Sequence, residues 1–161
     1  AAAARRVDLD ARAAAGEGRT AAAERHAIVR TAWLYGNGGT NCVDTILRRA
    51  REGGPLRVVD DQRGSPTWAA DLAQGLVRLM ECDVQGPIHC PSRRDCPWYD
   101  LAVHAIELAG MRIPVERATT ESLARPAPRP RYSVLSLERF ERATGWEMPE
   151  WRDAVHDYLN S

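Results

Sequence analysis

Ile28-Val29-Arg30-Thr31-Ala32-Trp33-Leu34-Tyr35-Gly36 is the stretch from which the rest of the chain can be ordered. Residues 26 to 35 are largely apolar, include β-branched side chains and end in Gly36-Asn37-Gly38-Gly39, so they read as a buried strand running into a loop. Thr40 or Asn41 can then cap a helix through about residue 51, because a short polar side chain supplies the acceptor that the first backbone N–H groups lack. Val43, Ile46, Leu47 and Ala50 share one face of that helix. Strand, glycine loop and helix also turn free N–H groups and the positive end of the helix dipole toward an anion. The spacing is not Gly-x-Gly-x-x-Gly, and a plain strand-to-helix turn accounts for it without a ligand.

Outward from this stretch, strand and helix patterns alternate. Gly53-Gly54-Pro55 stops the helix, residues 56 to 59 form a short strand and residues 60 to 66 a polar loop. Trp68, Leu72, Leu76 and Leu79 give a helix ending near residue 81, with Thr67 as its cap. Residues 86 to 90 are a second buried strand, and Pro97 fits the first turn of a helix that carries Trp98, Leu101, Ala105 and Leu108. Residues 114 to 118 read as an edge strand. Residues 124 to 131, with Pro126, Pro128 and Pro130, read as an extended loop or lid. Ser136 caps a helix to Thr144 before Gly145, and Pro149 opens a last one to Leu159. Upstream, residues 1 to 25 are an Ala-rich lead-in, helical from residue 8 and interrupted at Gly16 and Gly18; residues 26 to 161 form the main unit. The alternation predicts an α/β fold with parallel pairing.

Composition narrows the function. A chain of 161 residues is about one domain and can bury a core. A net charge of +0 argues against nucleic acid, which favours a basic face. No apolar run approaches the roughly 20 residues a membrane helix needs, and residues 1 to 25 lack the apolar segment of a signal peptide, so the expectation is a cytoplasmic protein without a membrane partner. Cys42, Cys82, Cys90 and Cys96 form no Cys-x-x-Cys pair and are expected as reduced thiols. The spacing of His89, Cys90, Cys96 and His104 matches no metal module, so no metal is expected. All 22 residues counted as Lys and Arg are Arg. That excludes a Schiff-base lysine, a phosphate-loop lysine and a Tyr-x-x-x-Lys pair; a GC-rich genome is the plain explanation of the bias. The chain begins with Ala, as a fragment or a decayed gene would.

Three blocks in order, the opening stretch, Val58-Val59-Asp60-Asp61-Gln62-Arg63-Gly64-Ser65-Pro66-Thr67-Trp68 and Arg129-Pro130-Arg131-Tyr132-Ser133-Val134-Leu135, resemble the C-terminal half of the dTDP-4-dehydrorhamnose reductases. These are extended short-chain dehydrogenases/reductases. The resemblance implies the C-terminal part of a Rossmann-like parallel sheet plus a small sugar-nucleotide-binding lobe. It implies NADPH as cofactor and a dTDP-linked 4-keto-6-deoxy sugar, a step of dTDP-rhamnose or related deoxysugar biosynthesis, as substrate. By the same resemblance Asn41 meets the phosphate side, Gln62 the nucleotide and Arg129 the diphosphate, through paired guanidinium hydrogen bonds. Trp33 packs on the sugar or pyrimidine, while Thr31 and Ala32 lie near the nicotinamide. On residues alone, Trp33 is equally a core aromatic, Arg129 a surface ion pair, and Trp98 and Trp151 packing residues.

The same alignment sets Ala14-Ala15-Gly16-Glu17 just after the family's catalytic lysine, which leaves Leu9 and Ala13 in the Tyr and Lys places. No catalytic residue is therefore assigned, and the chain alone is expected not to turn over. A non-catalytic sugar-nucleotide-binding or regulatory protein of the same fold is the alternative. With half of a parallel sheet missing, the bare strand edge favours a homo-oligomer unless residues 1 to 25 cover it.

Overall fold

The computed structural model describes residues 6–9, 26–123, 127 and 129–161. β1 (Arg6–Leu9) pairs in parallel with β2 (His26–Arg30). β3 (Leu34–Tyr35) leads into α1 (Cys42–Glu52), where Asn41 is the cap and its side chain accepts the Asp44 N–H at 3.0 Å. α1 buries Val43, Leu47 and Ala50 on one face and stops at Gly53, whose φ of 84° disfavours any side chain. β4 (Leu56–Val59), β5 (Arg63–Gly64) and β6 (Thr67–Trp68) follow, β6 running parallel to β3. α2 (Ala69–Met80) returns the chain to β7 (Gly86–His89), which pairs in parallel with β2 and gives the sheet order β1-β2-β7. β8 (Cys96–Pro97) pairs antiparallel with β5 and opens α3 (Trp98–Leu108); β9 (Val115–Ala118) runs parallel to β4. α4 (Glu138–Thr144), closed by Gly145 in the left-handed region, and α5 (Trp151–Leu159) complete the order.

Two apolar clusters hold this together. Val29 and Ile88 are partners in the β2–β7 register and pack with Leu72 and Leu79 of α2, Phe140 of α4 and Met148. Around Tyr35, α1 supplies Val43 and Leu47, α3 supplies Leu101 and Ile106, and α5 supplies Trp151, Val155 and Tyr158. The first cluster seats helices on the sheet. The second builds the lobe, and each buried side chain of this size contributes roughly 1.5–3 kcal/mol.

The α/β class and the parallel sheet agree with the sequence reading, but several boundaries move. The run over residues 26 to 35 is two strands in two different sheets, broken at Thr31 to Trp33, where Trp33 takes a φ of 47°. Asp8 and Leu9, expected as helix, are strand β1, which covers the very edge of β2 that was expected bare; residues 10–25 lie outside the described residues. The expected loop over residues 60 to 66 contains β5. Thr67 does not cap α2: the cap position is Trp68, with no side-chain bond. Leu108 is exposed rather than packed. The expected lid falls partly outside the described residues, but its C-terminal end is clipped to β5, with Arg63 N–H donating to Arg131 O at 2.8 Å and Ser133 N–H to Arg63 O at 2.9 Å. No helix among the described residues is long and apolar enough to cross a membrane.

Candidate functional site

A cavity of about 490 Å³ opens where β3, α1, β4 and the start of α3 meet, lined among others by Trp33, Asn41, Thr45, Arg49, Arg57 and Trp98. Its aromatic wall is a stacked pair: the Trp33 and Trp98 ring centroids stand 3.8 Å apart with an interplanar angle of 16°. Its rim is cationic. Arg49 makes no ion pair among the described residues, and Arg57 donates only to Ser122 Oγ at 3.4 Å. Cys42 also lines the cavity, and burial pushes its thiol up to about 11, so it stays protonated at neutral pH.

Backbone strain places Trp33. A φ of 47° is unusual for a bulky side chain, so neighbouring bonds must hold it. Thr67 does this from β6: its hydroxyl donates to Ala32 O at 2.9 Å and its N–H to Trp33 O at 3.3 Å. Thr67→Val keeps the shape and removes the hydroxyl, leaving the Ala32 carbonyl without that partner. Urea unfolding is expected to show a loss of about 1–2 kcal/mol with an unchanged slope. An unaltered midpoint would mean the bond carries no weight in holding the turn.

The sequence-derived candidates do not all converge. Trp33 and Asn41 share the cavity. Asn41 is committed there, since its amide donates to Gly36 O and Tyr158 OH, both at 3.0 Å, and to Asp44 Oδ2 at 2.7 Å. Gln62, just after β4, is buried, its Nε2 donating to Thr120 Oγ1 at 2.9 Å, and it is not a lining residue. Asp61 beside it accepts from Thr120 N–H and Oγ1, which holds its carboxyl below the usual range. Arg129 is exposed, without an ion pair among the described residues and outside the cavity lining, four residues before the Ser133 clip. Thr31, at the end of β2, has a buried hydroxyl with no hydrogen-bond partner among the described residues, and Ala32 offers only its carbonyl, already taken by Thr67.

Among the lining residues, Trp98, Arg49 and Arg57 were not assigned to a ligand by sequence reasoning, which read Trp98 as packing. Trp98 carries one usable signal, an aromatic at the first turn of a helix directly after Pro97, but its spacing alone says packing. No disulfide joins the four cysteines, and no group of three or more His, Cys, Asp or Glu among the described residues is arranged to hold a metal ion.

Comparison with known proteins bears out the resemblance read from the three blocks. The family described as RmlD substrate binding domain matches residues 12–161. A dTDP-4-dehydrorhamnose reductase of Streptomyces griseus is 42% identical over 134 residues, covering 80% of this chain and 44% of that protein. The crystal structure of a dTDP-4-dehydrorhamnose reductase from Clostridium acetobutylicum is similar with a TM-score of 0.80 and 40% identity, over 84% of this chain and 48% of that one. A dTDP-4-dehydrorhamnose reductase from Bacillus anthracis in complex with NADP is similar with a TM-score of 0.77 and 33% identity, over the same shares, 84% and 48%. The chain thus spans about half the length of the relatives it matches.

Proposed function

The chain belongs to the family of RmlD substrate binding domains, and from that premise we propose that it is the sugar-nucleotide-binding part of a dTDP-4-dehydrorhamnose-reductase-type protein. The observation that carries this reading is the cavity that unites Trp33 and Asn41 with two rim arginines, Arg49 and Arg57. Aromatic walls suit a base or a sugar, and guanidinium groups suit a diphosphate. In the whole reaction a hydride would pass from NADPH to C4 of a dTDP-linked 4-keto-6-deoxy sugar. NADPH supplies that hydride when bound. On this chain the buried Thr31 hydroxyl, without a hydrogen-bond partner among the described residues, would be free to meet its nicotinamide amide.

Within this reading Asn41 lies on the phosphate side, Trp33 beside the sugar, Arg129 at the diphosphate and Gln62 toward the nucleotide. Gln62 fits least, because it must give up Thr120 to reach a ligand. Arg129 fits better, since its guanidinium is exposed and the Ser133 clip ties its segment to β5, next to Gly64 and Trp33. Weak binding of dTDP is expected, on the order of mM. A charge-assisted contact is worth about 1.5–3 kcal/mol, so Arg129→Ala should weaken it by about tenfold or more. An NMR titration checks both: unshifted resonances with dTDP sink the reading, and Arg129→Ala binding as well as the parent removes that residue from the site.

A second reading, sugar-nucleotide binding without reduction, is favoured by one observation. The chain contains no lysine, and Leu9, which the resemblance sets in the place of the catalytic tyrosine, lies on strand β1.

A further inference from the structure

We infer that Trp98 is a positioning residue for Trp33: it clamps the Trp33 indole against the Gly64 backbone, so that Trp33 meets a sugar nucleotide with its ring edge and not its face. The inference rests on the proposed function for the identity of the ligand.

The clamp follows from two sets of distances. Centroids 3.8 Å apart at 16° leave no space for a third ring between the indoles and little lateral offset. On Gly64, an added Cβ would stand 2.4 Å from Cε2, 2.5 Å from Cζ2 and 2.8 Å from Nε1 of Trp33. Cε2 is a ring-fusion atom bonded to both of the others. An approach in the ring plane would pass between those two neighbours and come closer to one of them than to Cε2. Here Cε2 is the nearest, so Gly64 lies over the ring. It cannot lie on the face that Trp98 fills, and therefore covers the opposite one.

With both faces covered, what Trp33 offers the cavity is an edge. That changes the chemistry it can recognise. An aromatic face is electron-rich and suits the apolar face of a sugar or base, whereas the edge carries positive partial charge and suits oxygen. The hydroxyl and carbonyl oxygens of a sugar fit such an edge better than a stacked pyrimidine does. The strained φ of 47° and the two Thr67 bonds fix the Trp33 backbone, and Trp98 fixes the ring.

Stacked indoles produce an exciton couplet in far-ultraviolet circular dichroism, which reads the clamp directly. The parent should show it, Gly64→Val should lose it with both chromophores still present, and dTDP-glucose should leave it in place. In titrations, Trp98→Ala should bind dTDP-glucose about tenfold more weakly while dTDP changes by less than about twofold, and Trp98→Phe, which restores a flat ring, should recover the affinity. The inference is overturned if the parent lacks the couplet, if dTDP-glucose abolishes it, or if Trp98→Ala melts cooperatively and binds dTDP-glucose like the parent. Should Gly64→Val fail to melt cooperatively, the Ala and Phe pair at Trp98 still decides. A parent that shows the couplet but binds neither nucleotide sinks the ligand reading, while loss of the couplet in Gly64→Val upholds the clamp.

Discussion

Mixed with NADPH and a dTDP-linked 4-keto-6-deoxy sugar, the purified chain is expected to leave the nicotinamide absorbance unchanged. Reducing a ketone creates an alkoxide, and a proton donor within hydrogen-bond reach of that oxygen contributes about 10²–10⁴ in rate. The chain has no lysine, and its four tyrosines are all otherwise placed. Tyr35 is buried in the lobe core, where burial and then Asp71 drive its phenol far above the usual range. Tyr158 donates to Asp44 Oδ1 at 2.9 Å and accepts from Asn41. Tyr99 lies under the Arg117 guanidinium, 3.9 Å from its ring centroid, and Tyr132 is exposed beside the Arg63 bridge. None of the four lines the cavity. Absorbance falling faster than in a protein-free control would overturn the expectation and require a proton donor outside this set.

The elements that local chemistry specifies were legible in the sequence. Asn41 as cap, with Val43, Leu47 and Ala50 on the buried face of α1, follows from capping and period alone. β4 and β7 follow from short, largely apolar runs between turn residues, and β9 from the position of Val115 after Pro114. What stayed hidden is what a distant residue imposes. Nothing within residues 26 to 35 announces the break at Trp33, because its φ is held by Thr67 and its ring by Trp98 and Gly64, each more than 30 residues away. Thr67 looked like a helix cap for the same reason: its hydroxyl can serve either a local N–H or a remote carbonyl, and tertiary packing chose Ala32. Gln62 has both donor and acceptor groups, as a ligand contact requires, but Thr120 takes its amide first. Asn41 shows the converse case, a residue whose local role and whose place in the cavity were both visible, because a helix start positions it for each.

Replacing Asp71 with Asn should stabilise the fold at neutral pH and flatten its dependence on pH. Asp71 sits in the first turn of α2, where the helix dipole favours an anion, yet it is buried and its Oδ2 finds no hydrogen-bond partner among the described residues. Burial wins over the dipole. It pushes the carboxyl from 3.8 up to about 6, and the negative charge of Asp157 adds to the effect. The folded value lies above the unfolded one, so between them the folded state binds more protons. Stability therefore falls as pH rises from about 4 through about 6 and is level beyond. A shift of about two pH units corresponds to at most about 3 kcal/mol, an upper bound because solvent near a first-turn position screens part of it. Asn has the shape of the protonated acid and carries no charge at any of these pH values. At pH about 4 the two proteins should accordingly unfold at similar urea concentrations, and the gap should open in favour of Asp71→Asn as the pH passes about 6. Curves that run parallel across this range would show that Asp71 is ionised at no cost, through a partner or a water bound at Oδ2. Loss of stability in Asp71→Asn at neutral pH would show that the carboxylate itself holds the start of α2 against Tyr35 and α5.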